Sequence, residues 1–138
     1  MELKLQWKGG VASEVVTHGG HVVAIDGSEA VGGKNLGARP MELVLSGLMG
    51  CASIDVLHIL KKMRVDIRTF EMHARAQRAD AQPSVFEHIH LKFIVVGDAL
   101  DVTRIEQAIE LSVDKYCSVI AMLESVKLDW ELVTGLEK

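Results

Sequence analysis

An α+β fold is what this sequence predicts, and three features predict it. Short β-branched runs cut by glycine pairs open the chain, a long apolar segment from Pro40 to Met63 follows, and two further strand-like runs precede an amphipathic helix and a last alternating segment. Strands and helices are therefore grouped rather than alternating one for one, which is the α+β pattern. With 138 residues, 49% of them hydrophobic, the chain is expected to form one domain over residues 1–138.

The opening runs LKLQW, EVVTH and GGHVVAID are punctuated by Gly9-Gly10, Gly19-Gly20 and Gly27, and read as a three-stranded antiparallel meander. The glycine-rich stretch AVGGKNLGARP is a loop that ends in Pro40, a residue suited to the first turn of a helix. From Pro40 to Met63 the apolar residues are too dense for alternation and the segment too long for a strand, so a buried helix is predicted despite Gly47 and Gly50. Next, IRTFEMHARAQR and SVFEHIHLKFIVV form a long hairpin across ADAQP. The segment DVTRIEQAIELSVDKY reads as a helix opened by a Thr103-x-x-Glu106 capping box and delivering Cys117 at its end. A short helix over SVIAMLES and a closing strand over VKLDWELV complete the prediction.

Composition excludes several functions. A formal charge of −4 and an aromatic content of 4% give neither a basic stripe nor stacking platforms, so nucleic acid is not an expected partner. No uninterrupted apolar run reaches the roughly 18 residues that span a bilayer, and MELKLQWKGG has no signal-like apolar region, so a cytoplasmic protein without a membrane partner is expected. The two cysteines, Cys51 and Cys117, fit neither a disulfide framework nor a spaced zinc motif. If they act, they act as thiols.

The order of elements and three local motifs resemble the OsmC/Ohr family, named for osmotically induced and organic-hydroperoxide-resistance proteins. The motifs are Pro40-Met41-Glu42-Leu43 leading into Gly50-Cys51 and IDVLHILKKM, then Pro83-Ser-Val-Phe86 with HIHLKFIVVG, then LSVDKYCSV. The likeness covers essentially the whole chain and is greatest to the branch with Lys-Tyr-Cys-Ser-Val at the second cysteine. It implies an intertwined homodimer in which curved antiparallel sheets wrap long central helices, with active sites at the dimer interface. It also implies reduction of organic hydroperoxides, with Cys51 as the attacking thiol, Cys117 as the resolving thiol and an external dithiol reductant, without a cofactor. Independently, a helix that is apolar on nearly every side favours a second copy as its cover.

A thiol near pKa 8.5 is mostly protonated at neutral pH, so an attacking Cys51 needs help to ionise. Peroxide-reducing members of the family usually carry an early-strand arginine and a glutamate directly after the helix-opening proline. Here residues 1–38 contain no arginine, and Met41 follows Pro40. At about 100° per residue, Glu42 lies roughly 180° from Cys51 on an unbroken helix, which leaves Arg39 as the better electrostatic candidate. The same rotation gathers Cys51, Asp55, His58 and Lys62 on one face, read here as the wetter side of the helix. Leu43, Leu48, Met49 and Met122 are expected to line an apolar pocket.

His88 and His90 share a strand face, and a hairpin turning near Ala81 would set His73 opposite His90. Glu71, Arg75 and Lys92 occupy that face too. Two cations make it a poor home for a metal, so a solvated polar face and no metal site are expected. Three functions follow: a thiol peroxidase acting on apolar hydroperoxides, a non-catalytic module binding an apolar small molecule at a dimer interface, and a metal-binding variant. The first is favoured.

Overall fold

The structure, a computed structural model, describes residues 1–135. Its class is α+β: two three-stranded sheets and one long helix. The chain divides into two compact units, Met1–Ser46 and Gly47–Lys138, and helix α1 (Pro40–Lys62) begins in the first and ends in the second.

In the first unit, β1 (Lys4–Gly9), β2 (Ala12–Val16) and β3 (Val22–Ile25) form the antiparallel meander that the glycine pairs predict. The loop after β3 is organised by Asp26, a buried carboxylate that accepts hydrogen bonds from the backbone N–H groups of Gly27, Lys34 and Leu36 at 2.8–3.1 Å. The amides of Lys34 and Leu36 hold its carboxyl below the usual carboxylate range. A Cβ added at Gly33 would lie 1.8 Å from the Gly27 carbonyl oxygen, so only glycine lets the loop close this tightly.

The second unit carries the larger core. Leu48, Ala52, Val56 and Leu60 are the buried residues of α1, spaced four apart as a helical stripe. They share the core with Ile89, Leu91, Phe93 and Val95 of β5 (Phe86–Val96) and with Ile105, Ala108 and Ile109 of α2 (Val102–Leu111). Central β5 pairs antiparallel with β4 (Thr69–Arg78), forming the predicted hairpin. Its other neighbour, β6 (Lys127–Thr134), runs parallel to it. The sheet is therefore mixed rather than wholly antiparallel, because the crossover through α2 and α3 (Ser118–Ala121) brings the chain back in the same direction.

Other expectations also shift. The N-cap of α2 is Asp101, whose side chain accepts the Arg104 N–H; the helix starts before Thr103, so the Thr103–Glu106 box does not form. α2 stops at Leu111, and Ser112–Tyr116 form a π-helical turn closed by Cys117 N–H to Ser112 O at 2.8 Å. By length and composition α1 is also long and apolar enough to cross a membrane. Counting uninterrupted apolar runs hides this, since Glu42 and Asp55 break the run while the mean hydropathy over 18 residues stays high.

Candidate functional site

Cys51 sits on α1, and Cys117 stands at the junction between the π-turn and α3, where it is the N-cap. The fold brings them together. The two Sγ atoms and a carboxylate oxygen of Asp55 all lie within 4.8 Å of one another, and both cysteines are free. Cys51 and Asp55 are partly exposed, whereas Cys117 is only 3% exposed.

Local structure explains each position. Residues 51 and 55 are one helical turn apart, so α1 presents both on the same face. The extra residue in a π-turn offsets the chain against the α2 axis before Cys117 is reached, and such turns recur at functional sites. Ser112, the first residue of that turn, is fully buried; its hydroxyl donates to Asp55 Oδ2 at 3.1 Å, with the Ala52 carbonyl at 3.4 Å. Burial pushes the Cys117 thiol above its ordinary range, and neighbouring Cys51 adds to this. The backbone N–H groups of Ile120 and Val119 oppose the shift. Cys117 is thus kept as an S–H that can donate to a thiolate on Cys51.

Asp55 also lines a cleft of about 470 Å³ with His58, Ile59, Lys62, Leu111 and Tyr116. The wet stripe of α1 therefore borders an opening beside the thiols, and Asp55 belongs to the site itself. Its signal in the sequence was its spacing of four from Cys51. Of the residues expected to line a pocket, Leu48 is wholly buried in the core and Met122 is largely exposed, while Leu43 and Met49 are half-buried.

Arg39, Met41 and Glu42 belong to the first unit. The Arg39 guanidinium donates to the Gly37 carbonyl at 3.1 Å and to Asn35 Oδ1 at 3.4 Å, and its backbone N–H donates to Glu42 Oε1 at 2.8 Å. Glu42 thereby makes the reciprocal half of a capping box at the start of α1. Met41 is partly exposed.

The histidine face takes an unpredicted form. His73 lies opposite Lys92, and Arg75 opposite His90, a two-residue shift from a hairpin centred on Ala81. Parallel β6 then sets Asp129 and Glu131 beside His88 and His90. Asp129 bonds His88 Nε2 at 2.8 Å and His90 Nδ1, and Glu131 bonds His90 Nε2 at 2.7 Å, so both nitrogens of His90 meet carboxylates. Bonding to Asp129 and Glu131 raises the His90 pKa, while bonding to His90 lowers those of both acids.

A family model described as OsmC-like protein matches residues 32–131. The chain belongs to the OsmC-like family. It is 38% identical to Protein YhfA of Escherichia coli strain K12 over 124 residues, covering 90% of each chain. A hypothetical protein from Aquifex aeolicus VF5 shares the fold with a TM-score of 0.81 and 30% identity, covering 98% of this chain and 97% of its own. An organic hydroperoxide resistance protein OsmC from Legionella pneumophila, at 15% identity, shows the same fold with a TM-score of 0.69 over 98% of this chain and 96% of its own.

Proposed function

We infer that this OsmC-like chain is a dithiol redox protein that reduces organic hydroperoxides. The observation supporting it is the approach of the Cys51 and Cys117 sulfurs to within 4.8 Å from two separate helices. In the first step the Cys51 thiolate attacks the O–O bond of ROOH, giving Cys51 sulfenic acid and an alkoxide that leaves as the alcohol after taking a proton. In the second step the Cys117 sulfur attacks the sulfenic sulfur, the S–S bond forms, and the hydroxyl departs as water with the Cys117 proton. An external dithiol then restores both thiols by exchange. Bond formation at about 2.05 Å requires the sulfurs to close further than their present separation of up to 4.8 Å.

Arg39 and Glu42 serve in this reading to build the start of α1, and the chemistry is assigned to the cysteines. Titration of the reduced chain with cumene hydroperoxide should consume two thiols per chain and yield a Cys51–Cys117 disulfide, seen by mass mapping. Cys51→Ser should slow hydroperoxide consumption at least about a hundredfold. Retention of both thiols, or equal consumption by Cys51→Ser, would overturn the reading in favour of a non-catalytic module that binds an apolar molecule.

The functional assembly in this proposal is a homodimer acting in the cytoplasm, with both units of each chain forming one OsmC-like domain. Trp7 is 71% exposed and Ile54 69%, with Leu5 and Leu36 also exposed, a load of open apolar surface that a second copy would cover. Sedimentation equilibrium at micromolar concentration should give twice the chain mass, and a folded monomer would refute it.

A further inference from the structure

The groups that meet at Cys51 share one property: each becomes an anion when it loses its proton. A carboxylate beside two thiols is a set complementary to a cation. Two sulfurs and one oxygen select a thiophilic divalent ion, since magnesium and calcium prefer all-oxygen surroundings.

We propose that Cys51, Asp55 and Cys117 form a three-ligand site for a thiophilic divalent cation such as zinc, with a fourth position open to solvent beside the partly exposed Cys51. The ligand atoms already lie within 4.8 Å of one another. Tetrahedral bonds of about 2.3 Å to sulfur and about 2.1 Å to oxygen place neighbouring ligand atoms roughly 3.5–3.8 Å apart, so closure takes on the order of 1 Å. Cys51 and Asp55 sit four residues apart on α1, a spacing that directs two helical ligands at one ion.

The surroundings support the same reading. The buried Ser112 hydroxyl, 3.1 Å from Asp55 Oδ2, orients the carboxylate that would bind the ion. The backbone N–H groups of Val119 and Ile120 favour negative charge on the Cys117 sulfur. Binding is M²⁺ + 2 RSH → M(SR)₂ + 2 H⁺, with Asp55 entering as the carboxylate. Affinity then rises up to about a hundredfold per pH unit while both thiols are protonated.

The site uses the same two thiols as the hydroperoxide reading but involves no oxidation, so the two are tested separately. The test titrates the reduced full chain, without oxygen, with Co²⁺ alone and then measures Zn²⁺ affinity by competition with a chromophoric chelator. One ion per chain and a sulfur-to-cobalt charge-transfer band are expected. Cys51→Ser and Cys117→Ser should each weaken the band and the affinity, and Asp55→Asn should reduce Zn²⁺ affinity about tenfold or more. Saturating Zn²⁺ should also slow alkylation of both wild-type thiols at least tenfold, a readout that needs no variant to fold. Absence of the charge-transfer band, unprotected thiols, or metal binding that survives both serine substitutions and is lost in His90→Gln would overturn the proposal. Zinc binding by a protein whose thiols ignore cumene hydroperoxide would sustain this site while removing the peroxidase.

Discussion

The thiol cluster at Cys51 and the histidine cluster at His90 differ in one decisive respect. Both gather ionisable groups, but the groups around His90 carry opposite charges once His90 is protonated, and they satisfy one another across β5 and β6. The three groups of the Cys51 cluster, Cys51, Asp55 and Cys117, all ionise to the same sign, and the most buried of them, Cys117, is held as a neutral thiol. Mutual neutralisation leaves a cluster little to offer a ligand. Groups of one sign, held together by the fold, retain reactivity and attract what would neutralise them.

The largest effect that sharpens this contrast is kinetic. With its pKa raised by burial, Cys117 should alkylate at least tenfold more slowly than a free thiol at pH 7.5, and its rate should climb with pH beyond the range in which a free cysteine has levelled off. Iodoacetamide labelling of Cys51→Ser, followed by mass spectrometry, isolates the Cys117 profile. A free-thiol profile would break the comparison.

Removing the Ser112 hydroxyl comes next. Ser112→Ala deprives Asp55 of its hydrogen bond from a fully buried donor and should lower stability by about 1–2 kcal/mol in denaturant unfolding. An unchanged midpoint would mean that the bond does not hold Asp55 beside the thiols.

The smallest effect belongs to His90. Its folded pKa is raised, so its contribution is fully present below the unfolded value of 6.5 and is lost as pH rises through the folded pKa. Asp129 and Glu131 have depressed pKa values, so their contributions are present above the unfolded values of 3.8 and 4.5 and disappear as pH falls through the folded ones. The cluster therefore stabilises most between about pH 4.5 and 6.5. His90→Gln should lower Tm by a few degrees at pH 5.5 and by less at pH 8.5. A loss that grows with pH would give the opposite sign and refute the pairing.

These contrasts also show what could be read in advance. The cysteines could be singled out because their order among helices and strands follows a recognisable family plan. Asp55 was visible as a neighbour of Cys51 on the helical wheel, but its partner Ser112 arrives from 57 residues away, and no local pattern encodes that meeting. Asp26 gave no signal because its partners are backbone amides of a loop whose path it creates itself. Alternation correctly marked VKLDWELV as a strand, yet alternation is the same read in either direction, so the parallel pairing that brings Asp129 to His90 was hidden. The hairpin register slipped by two, an even number, which preserved the polar face while changing every partner on it.

The parallel seam between β5 and β6 has a consequence in time as well as in space. β4 and β5 are joined by a short loop and can pair early, whereas β6 must wait for the whole crossover, residues 97–126, to be laid down and returned. The π-turn, Cys117 and α3 all lie within that late-arriving stretch. Cys51 and Cys117 lie 66 residues apart in the chain, so their meeting is a long-range contact, and during refolding the pairing of the two thiols should report arrival at the native topology rather than initial collapse.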